Sequence, residues 1–465
     1  MRPLLMLPEA LVFGAALLVL ISGSFLPRRR LWCTRVLAAA ALAGAAVAGG
    51  IGMAGADTTA FQGAFAVDTV TGLARILVPL ATAVVVAVAG EEIGGSARES
   101  EVYALLLCTT AGVLVLCGAD DLLVLATGYL LASIPLYALI GMAGSPGSAE
   151  AAMKTYLLGA LAGILLLLGI AVLYAMAAAT RYADLAVQLP GASGAVVGAG
   201  LIGVMAGLLF KAGAVPLHFW VPDAAQGTTG YAAMYLTTVP KIGAVVALYR
   251  LVVALPDDVA WPLVVGLLAA AGMTLGNLAA FWQQDPRRLL GWSTVSQVGF
   301  LLVPVAAVGA SELALPSLLF YLAGYTVTNI AAFAVTTALP QARALSDYRG
   351  MARAHPWLSG ALVVALLGLL GTPPTAVFVG KLTTASAAWE AGAPWLAVAV
   401  FVNTLISLFY YLRWIVPTFQ AAGGSTPKMS SPQRISGVVA VTMAALSVLL
   451  GIAAGGLWAV LAAAG

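Results

Sequence analysis

The sequence predicts an all-α integral membrane protein with about fourteen transmembrane helices. Of its 465 residues, 62% are hydrophobic and only 8% are charged, whereas a soluble domain has roughly 25% charged residues. Apolar runs of the roughly 20 residues that a helix needs to cross a bilayer recur along the whole chain. These observations predict a single polytopic membrane domain over residues 1–465, surrounded by lipid and without a nucleic-acid partner.

The apolar runs place the fourteen spans in order along the chain. The first run, within residues 1–27, is followed directly by three arginines instead of small cleavage-site residues, so we expect it to be a retained span and not a signal peptide. The predicted span centres lie near residues 15, 44, 78, 110, 131, 166, 205, 241, 270, 298, 326, 368, 404 and 448.

The basic residues of the loops predict the orientation of these spans. Cytoplasmic loops of membrane proteins hold an excess of Lys and Arg. One set of alternate loops contains Arg28, Arg29, Arg30, Arg35, Arg98, Lys154, Arg287, Arg288, Arg343, Arg349, Arg353, Arg413, Lys428 and Arg434. The opposite set contains Arg2, Arg181 and Arg250. This asymmetry favours an even number of spans, with both termini on the outer face.

Two spans, the seventh and the twelfth, contain proline within eight residues of a lysine in a Gly- and Pro-containing stretch, which indicates broken helices. The seventh, LLFKAGAVPLHFW, places Pro216 five residues after Lys211, and the twelfth, LLGTPPTAVFVGK, places Pro373 and Pro374 just before Lys381. Proline removes a helix hydrogen bond, which a membrane protein tolerates only beside protein or water. Broken helices at corresponding positions of inverted repeats mark ion pathways.

The two breaks are five spans apart, which predicts two inverted five-helix repeats. Residues 1–100 would then hold spans 1–3, residues 101–255 the first repeat with spans 4–8, and residues 256–420 the second with spans 9–13. Residues 421–465 would hold span 14. An odd number of spans in each repeat inverts the second copy with respect to the first.

Three lysines, Lys211, Lys241 and Lys381, fall within predicted spans. A lysine at the bilayer centre costs about 2.5–3.5 kcal/mol on insertion scales, so function is the default explanation. The structural alternative is that each one snorkels to the headgroups. Burial disfavours the ammonium form, so a nearby charge or file of water can switch such a lysine between its protonated and neutral forms. The three lysines are therefore the predicted proton relay.

Four polar residues near these lysines are candidates for a water or proton path. Thr237 and Thr238, with Pro240 as a third proline break, could hold water next to the lysine at position 241. His218 titrates near neutral pH and suits a shuttle, although a satisfied interfacial histidine fits equally well. Gln297 lies deep in the tenth span and could order water without exchanging a proton.

The remaining candidate groups have structural interpretations. Asp68 and Arg75 lie two helical turns apart on one face of the third span, so we expect them to pair with each other or to bind neighbouring spans. His355 precedes a proline at the start of a predicted span, so we expect it to lie at the membrane interface. The three cysteines are scattered, the chain has only two histidines, and it has no nucleotide-binding fingerprint. We therefore expect no metal and no cofactor on this chain.

Several segments resemble the antiporter-like membrane subunits of respiratory complex I, most closely the subunit N family. They occur in the family order over most of the chain: FKAGAVPLHFWVPDAAQG, TVPKIGAVVALYRL, RRLLGWSTVSQVGFLL, YLAGYTVTNIAAFAV, DYRGMARAHPWLSG, GTPPTAVFVGK and LFYYLRW. The resemblance implies that Lys211, Lys241 and Lys381 are the family's functional lysines. It also implies a hetero-oligomer with other complex I membrane subunits, in which partner subunits hold NADH, FMN, iron-sulfur clusters and quinone.

Two positions depart from the family pattern. In GYLLASIPLYALIG, Leu130 stands where the family has a glutamate, with Tyr129 as at best a weak substitute, and Gln297 stands where subunit N usually has histidine. The sequence favours a proton-translocating subunit of an NADH-quinone oxidoreductase. The missing carboxylate leaves open a structural subunit that has lost pumping. A cation/proton antiporter subunit or a hydrogenase membrane subunit is also compatible with the pattern.

Overall fold

The structure, a computed structural model, describes residues 3–53, 55–255, 261–421 and 431–462. Arg2 and Lys428, two of the residues used for the topology prediction, lie outside these ranges. Helices up to the middle of the chain are α1 Leu7–Phe25, α2 Trp32–Met53, α3 Thr69–Ile93, α4 Glu99–Gly118, α5 Leu122–Gly141, α6 Pro146–Ala177, α7 Tyr182–Gln188, α8 Gly194–Ala212, α9 Trp220–Gly227 and α10 Gly230–Val253. An antiparallel pair of short strands, β1 Thr58–Ala60 and β2 Phe65–Val67, precedes α3.

The rest of the described chain is helical as well. Its elements are α11 Trp261–Ala280, α12 Pro286–Ala306, α13 Ala314–Ala338, α14 Met351–Ala354, α15 Pro356–Leu370, α16 Ala376–Glu390, α17 Pro394–Phe419, α18 Arg434–Ile452 and α19 Ala454–Ala462. Within the described residues, 13 helices are long and apolar enough to cross a membrane, and α15 is a shorter apolar helix. Each of the fourteen predicted span centres falls inside one of these helices, which confirms the predicted all-α membrane fold.

Local sequence explains where several spans begin and end. Asp68, Asp121 and Asp285 each precede a helix and accept hydrogen bonds from its first free N–H groups, at α3, α5 and α12 respectively. The two broken spans end their first halves at a glycine with positive φ, Gly213 after α8 (76°) and Gly371 after α15 (90°). Glycine adopts this left-handed conformation without the steric cost of a Cβ.

The two predicted broken spans are interrupted where their prolines lie. Residues 213–219, including Pro216, separate α8 from α9, and residues 371–375, including Pro373 and Pro374, separate α15 from α16. The prediction that Pro240 breaks a helix is wrong, because α10 continues through it. A proline removes only one N–H donor from the helix, and neighbouring protein can accommodate the freed carbonyl without a break.

The chain forms two compact units. The first comprises Met1–Trp220 and Val239–Val264, and the second comprises Val221–Thr238 and Val265–Gly465. The first unit therefore includes α1–α8 and most of α10, and the second includes α12–α19. The predicted repeat boundaries at residues 100, 255 and 420 are a different division of the chain, based on span count, and they stay a prediction.

Asp68 and Arg75 do not pair with each other, so that expectation is wrong. Each instead binds a residue of a neighbouring span, which was the alternative expectation. Arg75 donates from Nε and Nη2 to the buried carboxylate of Glu9 in α1, at 2.8 and 2.9 Å. The Asp68 carboxylate accepts from Nη2 of Arg250 at 2.7 Å. Asp68 is the N-cap of α3, so its side chain lies at the end of the helix rather than on the face that Arg75 occupies.

Candidate functional site

The three lysines of the predicted relay are buried within their units. Lys211 in the last turn of α8 is 1% exposed, Lys241 in the middle of α10 is 0% exposed, and Lys381 in the second turn of α16 is 4% exposed. Each ammonium group contacts protein carbonyl oxygens. This burial argues against the alternative in which all three snorkel to the headgroups.

Lys211 binds the helix that carries the family's glutamate position. Its Nζ donates to the carbonyl oxygen of Ala132 and, at 3.1 Å, to Oγ of Ser133, both in α5. Lys211 is thus bound by one backbone carbonyl and one side-chain hydroxyl, both in α5.

The residues at the family's glutamate position do not supply a counter-ion to Lys211. Leu130 is 40% exposed on the surface of the unit. Tyr129 is buried, and its hydroxyl donates to the carbonyl of Gly159 in α6 at 3.2 Å. Sequence reasoning missed Ser133, although it lies in the same aligned stretch, three residues after Leu130.

Lys241 lies at the carboxyl end of the first half of the broken seventh span. Its Nζ is 3.5 Å from the carbonyl oxygen of Lys211, in the last turn of α8, and 4.5 Å from the ring centroid of Trp220. The Trp220 indole is held in place because its Nε1 donates to the carbonyl of Phe210 at 2.9 Å. The last carbonyls of a helix lack intrahelical donors and carry partial negative charge, which favours a cation there.

Lys381 has the same kind of environment in the second unit. Its Nζ donates to the carbonyls of Leu369 and Leu370, at 3.2 and 3.0 Å, which end the first half of the broken twelfth span. The ammonium group lies 3.9 Å from the ring centroid of Phe300. Lys241 and Lys381 are thus each bound between the carboxyl end of a half-helix and the face of an aromatic ring.

Gln297 contacts the Lys381 site directly. Its Nε2 donates to the carbonyl of Leu369 at 2.8 Å, and its Oε1 accepts from the Tyr321 hydroxyl at 2.6 Å. The side chain is 1% exposed. Gln297 therefore orders the half-helix end at which Lys381 binds, and the tyrosine fixes the orientation of the amide.

Thr237 and Thr238 belong to a hydrogen-bonded group in the second unit. Asn329 of α13 donates from Nδ2 to Oγ1 of both threonines, at 3.1 and 2.8 Å. The hydroxyl of Tyr325 donates to the Thr237 carbonyl at 2.7 Å and lies 3.3 Å from Thr294. Sequence reasoning did not select Asn329, although an amide within an otherwise apolar run was a usable signal.

His218 is buried in the segment between α8 and α9, with its ring 4.3 Å from that of Phe219. It does not belong to the helix of Lys211, because α8 ends at Ala212. Its role as a shuttle stays a prediction. In the ranges that the structure describes, no group of three or more His, Cys, Asp or Glu residues is placed to hold a metal ion.

No carboxylate among the described residues forms an ion pair with any of the three lysines. Each ammonium group is balanced by carbonyl dipoles, a hydroxyl or an aromatic face, none of which carries a full charge. An uncompensated amine in such a site responds strongly to any charge that appears nearby, because the effective dielectric constant is low.

Comparison with known proteins gives one consistent result. Residues 119–407 match the transmembrane family described as NADH:quinone oxidoreductase/Mrp antiporter. The chain is 62% identical to the NADH-quinone oxidoreductase subunit N of Mycobacterium sp. (strain JLS), over 98% of each chain. It is 48% identical to subunit N 1 of Streptomyces griseus, over 97% of this chain and 96% of that one.

Solved structures share the fold. A chain of respiratory complex I from Thermus thermophilus, solved with bound aureothin, superposes with a TM-score of 0.83 at 28% identity, covering 98% of this chain and 100% of that one. A chain of the Mrp complex from Dietzia sp. DQ12-45-1b superposes with a TM-score of 0.86 at 22% identity, covering 99% and 96%. At that identity the second likeness concerns the fold alone.

The fold, with two half-helix ends that each bind a lysine, is that of an antiporter-like membrane subunit. The chain belongs to the NADH:quinone oxidoreductase/Mrp antiporter transmembrane family, and within it to the subunit N group of NADH-quinone oxidoreductases. It is therefore a multi-pass subunit of a bacterial respiratory complex, a hetero-oligomer with other membrane subunits.

Proposed function

We propose that this chain translocates protons across the bacterial inner membrane, with Lys211, Lys241 and Lys381 as the relay. The observation that carries the proposal is the matched environment of Lys241 and Lys381. Each buried ammonium group lies at the carboxyl end of the first half of a broken span and over an aromatic ring, without a carboxylate partner among the described residues. Partner subunits would supply the redox energy.

The chemistry of the relay is proton transfer to and from three amines. A charge arriving near one amine changes its affinity for a proton, because no fixed counter-ion screens the interaction. Broken backbone at residues 213–219 and 371–375 provides carbonyls that can bind water beside the amines. Gln297 would hold the half-helix end without carrying a proton, and His218 would be an exchangeable group near the first break.

Lys211 would function without the family's ion pair. In this chain the contact to α5 is made through the Ala132 carbonyl and the Ser133 hydroxyl. The hydroxyl can donate or accept, so it can bind Lys211 in both protonation states of the amine. This supports retained pumping over the alternative of a structural subunit that lost pumping with its carboxylate.

Reconstitution of the assembled complex in sealed vesicles tests the proposal. We expect Lys381→Ala to lower proton uptake per NADH oxidised, whereas the exposed Lys154→Ala, which removes a lysine paired with Glu150 on the surface, should leave it unchanged. Equal proton uptake in both variants would contradict the relay. Sodium-driven proton movement in the absence of NADH would instead support a cation/proton antiporter subunit.

We also infer that both termini lie on the outer face. The basic residues of alternate loops support this orientation by the positive-inside rule. A single cysteine placed in the loop between α6 and α8, on the side with few basic residues, should react with a membrane-impermeant thiol reagent added from outside. If the cysteine reacts only after the membrane is opened, the termini lie on the inner face instead.

A further inference from the structure

Polar side chains connect the Lys381 site to the end of the second unit at which α12 begins. The Tyr411 hydroxyl in α17 forms a hydrogen bond of 2.7 Å with Oγ of Ser293 in α12. Tyr411 also forms a side-chain hydrogen bond with Gln297. The Gln297 amide in turn donates to the Leu369 carbonyl, which also accepts from Lys381. A continuous series of polar contacts therefore leads from Lys381 to Ser293, and the proposed relay uses neither Ser293 nor Tyr411.

Two buried polar groups continue this series toward the loop before α14. Trp414 lies one turn after Tyr411 in α17, and its ring packs edge-on against that of Tyr348, with centroids 5.2 Å apart. Neither Nε1 of Trp414 nor the hydroxyl of Tyr348 has a hydrogen-bond partner among the described residues. Buried polar groups in proteins are normally hydrogen-bonded, in many cases to buried water. Two such donors on rings in contact indicate a site for ordered water.

The segment that carries Tyr348 joins the ends of the helices that hold these groups. Within it, Leu345 donates from its backbone N–H to the carbonyl of Gln284, just before α12, at 2.9 Å. Gly350 donates in the same way to the carbonyl of Gln420, just after α17, at 2.9 Å. Helices α14 and α15 follow directly, so α12 and α15 begin, and α17 ends, at one end of the unit.

The groups are ordered by depth from this common end. A helix rises about 1.5 Å per residue, which places Trp414 about 8 Å from the end of α17 and Ser293 about 10 Å from the start of α12. On the same scale Gln297 lies about 16 Å along α12, and the Leu369 carbonyl at the Lys381 site lies about 20 Å along α15. Successive groups therefore differ in depth by about one helical turn or less, from the common end to the lysine.

The common end is charged and lies on the predicted cytoplasmic side. The Tyr348 hydroxyl interacts electrostatically with four charged side chains, which are Asp285, Arg287, Arg343 and Asp347. They lie at the start of α12 and before α14, where the positive-inside rule assigns the chain to the cytoplasm. Tyr348 is therefore the group of this series that lies nearest to cytoplasmic water.

We propose that these groups form a water-filled route by which Lys381 takes up protons from the cytoplasmic side. The inference rests on the proposed relay, and it assigns the side from which the third lysine of that relay is loaded. It also gives a function to the buried donors of Trp414 and Tyr348, because both bind the water of the route.

Proton transfer along the route balances at every hydroxyl. Tyr348, Tyr411 and Ser293 each accept one proton on oxygen and release another, so no hydroxyl keeps a charge. The Gln297 amide orders water beside Lys381 and does not titrate. The net step moves one proton from cytoplasmic water to the neutral amine of Lys381.

Sided labelling of Ser293→Cys tests the route without depending on proton pumping. The assembled complex in sealed vesicles is treated with 2-aminoethyl methanethiosulfonate on one side and a thiol scavenger on the other, in the absence of NADH. Mass spectrometry of the peptide that contains the substituted residue gives the rate of modification. Labelling should be about tenfold faster from the side of the basic loops than from the opposite side. Ser296→Cys is the matched control and should react slowly from both sides, because Ser296 is equally buried in α12 but donates to Asn277.

Two tyrosines of α17 provide a second test. Tyr411→Phe breaks the contact with Ser293 and should lower proton uptake per NADH oxidised. Tyr410→Phe removes an equally buried hydroxyl, which is bonded to Asn277, and should leave proton uptake unchanged.

Equal losses in the two tyrosine variants, or equal labelling of the two cysteine variants, would overturn the route. Labelling of Ser293→Cys mainly from the opposite side would overturn it as well, even if Lys381→Ala abolishes proton uptake. If labelling follows the expectation but Lys381→Ala leaves proton uptake unchanged, the proposed relay itself is contradicted, and the route does not load Lys381.

Discussion

Gln297 and Lys381 donate hydrogen bonds to one acceptor, the carbonyl oxygen of Leu369, at 2.8 and 3.2 Å. That carbonyl belongs to the last turn of α15, where a helix has no internal donors left to offer. The Gln297 amide and the Lys381 amine therefore both stabilise the carboxyl end of the α15 half-helix. Replacing Gln297 should change the environment of Lys381, although the two side chains are not bonded to each other.

Replacement of Gln297 tests this shared acceptor. Gln297→Leu removes the amide donor to Leu369 and the acceptor of the Tyr321 hydroxyl, and buried groups left unpaired cost about 1–3 kcal/mol each. We expect a lower rate of proton translocation and a lower unfolding temperature of the complex. Gln297→His should instead introduce a pH dependence of translocation between about pH 6 and 8. A flat profile in the histidine variant would contradict direct influence on the relay.

Ser133 is expected to be a positioning residue for Lys211. Ser133→Ala leaves the amine with only the Ala132 carbonyl in α5, and loss of a hydrogen bond to a charged group costs about 1.5–3 kcal/mol. Proton uptake per NADH should fall, and its pH profile should shift. Ser133→Thr keeps the hydroxyl and should restore both. If alanine and threonine behave alike, the hydroxyl has no part in the relay.

Sequence patterns predicted the spans well, because the length and hydropathy of a span are local properties. They also located the two breaks, since proline and glycine act on the adjacent backbone. The partners of charged residues were not predictable in the same way. Arg75 binds Glu9, 66 residues away, and that choice depends on how α1 packs against α3.

The site was predictable in its residues but not in its geometry. Burial of an amine follows from its place in an apolar run, so Lys211, Lys241 and Lys381 could be selected directly. That two of them bind the carboxyl ends of half-helices depends on where each helix stops and how the segments pack. Trp220 and Phe300 were missed because an aromatic residue in an apolar span has no signal that separates a site from the core.

Removal of Arg75 should be severely destabilising. Arg75→Gln leaves the buried carboxylate of Glu9 without its bidentate partner, and breaking a buried pair on one side costs about 3–5 kcal/mol. We expect a lower yield of assembled complex and a lower unfolding temperature. The double variant Glu9→Gln with Arg75→Gln removes both charges and should recover part of the loss. No recovery would mean that the stabilisation comes from other contacts of Arg75.

The Asp68–Arg250 pair predicts a pH dependence of stability. Burial alone would raise the pKa of the Asp68 carboxyl. The hydrogen bond and charge of Arg250, together with the hydrogen bonds of Thr71, outweigh burial and hold the pKa below its ordinary value of 3.8. A depressed folded-state pKa stabilises the folded protein above 3.8, and this stabilisation is lost as the pH falls through the folded value.

Asp68→Asn should therefore destabilise the complex by about 1–3 kcal/mol at pH 7, with the difference shrinking below pH 3.8. Thermal unfolding of both forms between pH 7 and pH 3 provides the measurement. The exposed Asp57→Asn is a matched control and should have little effect at any pH. A difference that stays constant over the whole range would show that the charge of Asp68 is not the source of its contribution.

The central claim is that a buried amine at a half-helix end carries the translocated proton. Its most direct test is the ratio of proton uptake to NADH oxidation in vesicles containing the assembled Lys241→Ala complex, with Lys154→Ala as control. The account predicts a lower ratio for Lys241→Ala alone, with assembly intact. An unchanged ratio in a fully assembled complex would contradict it.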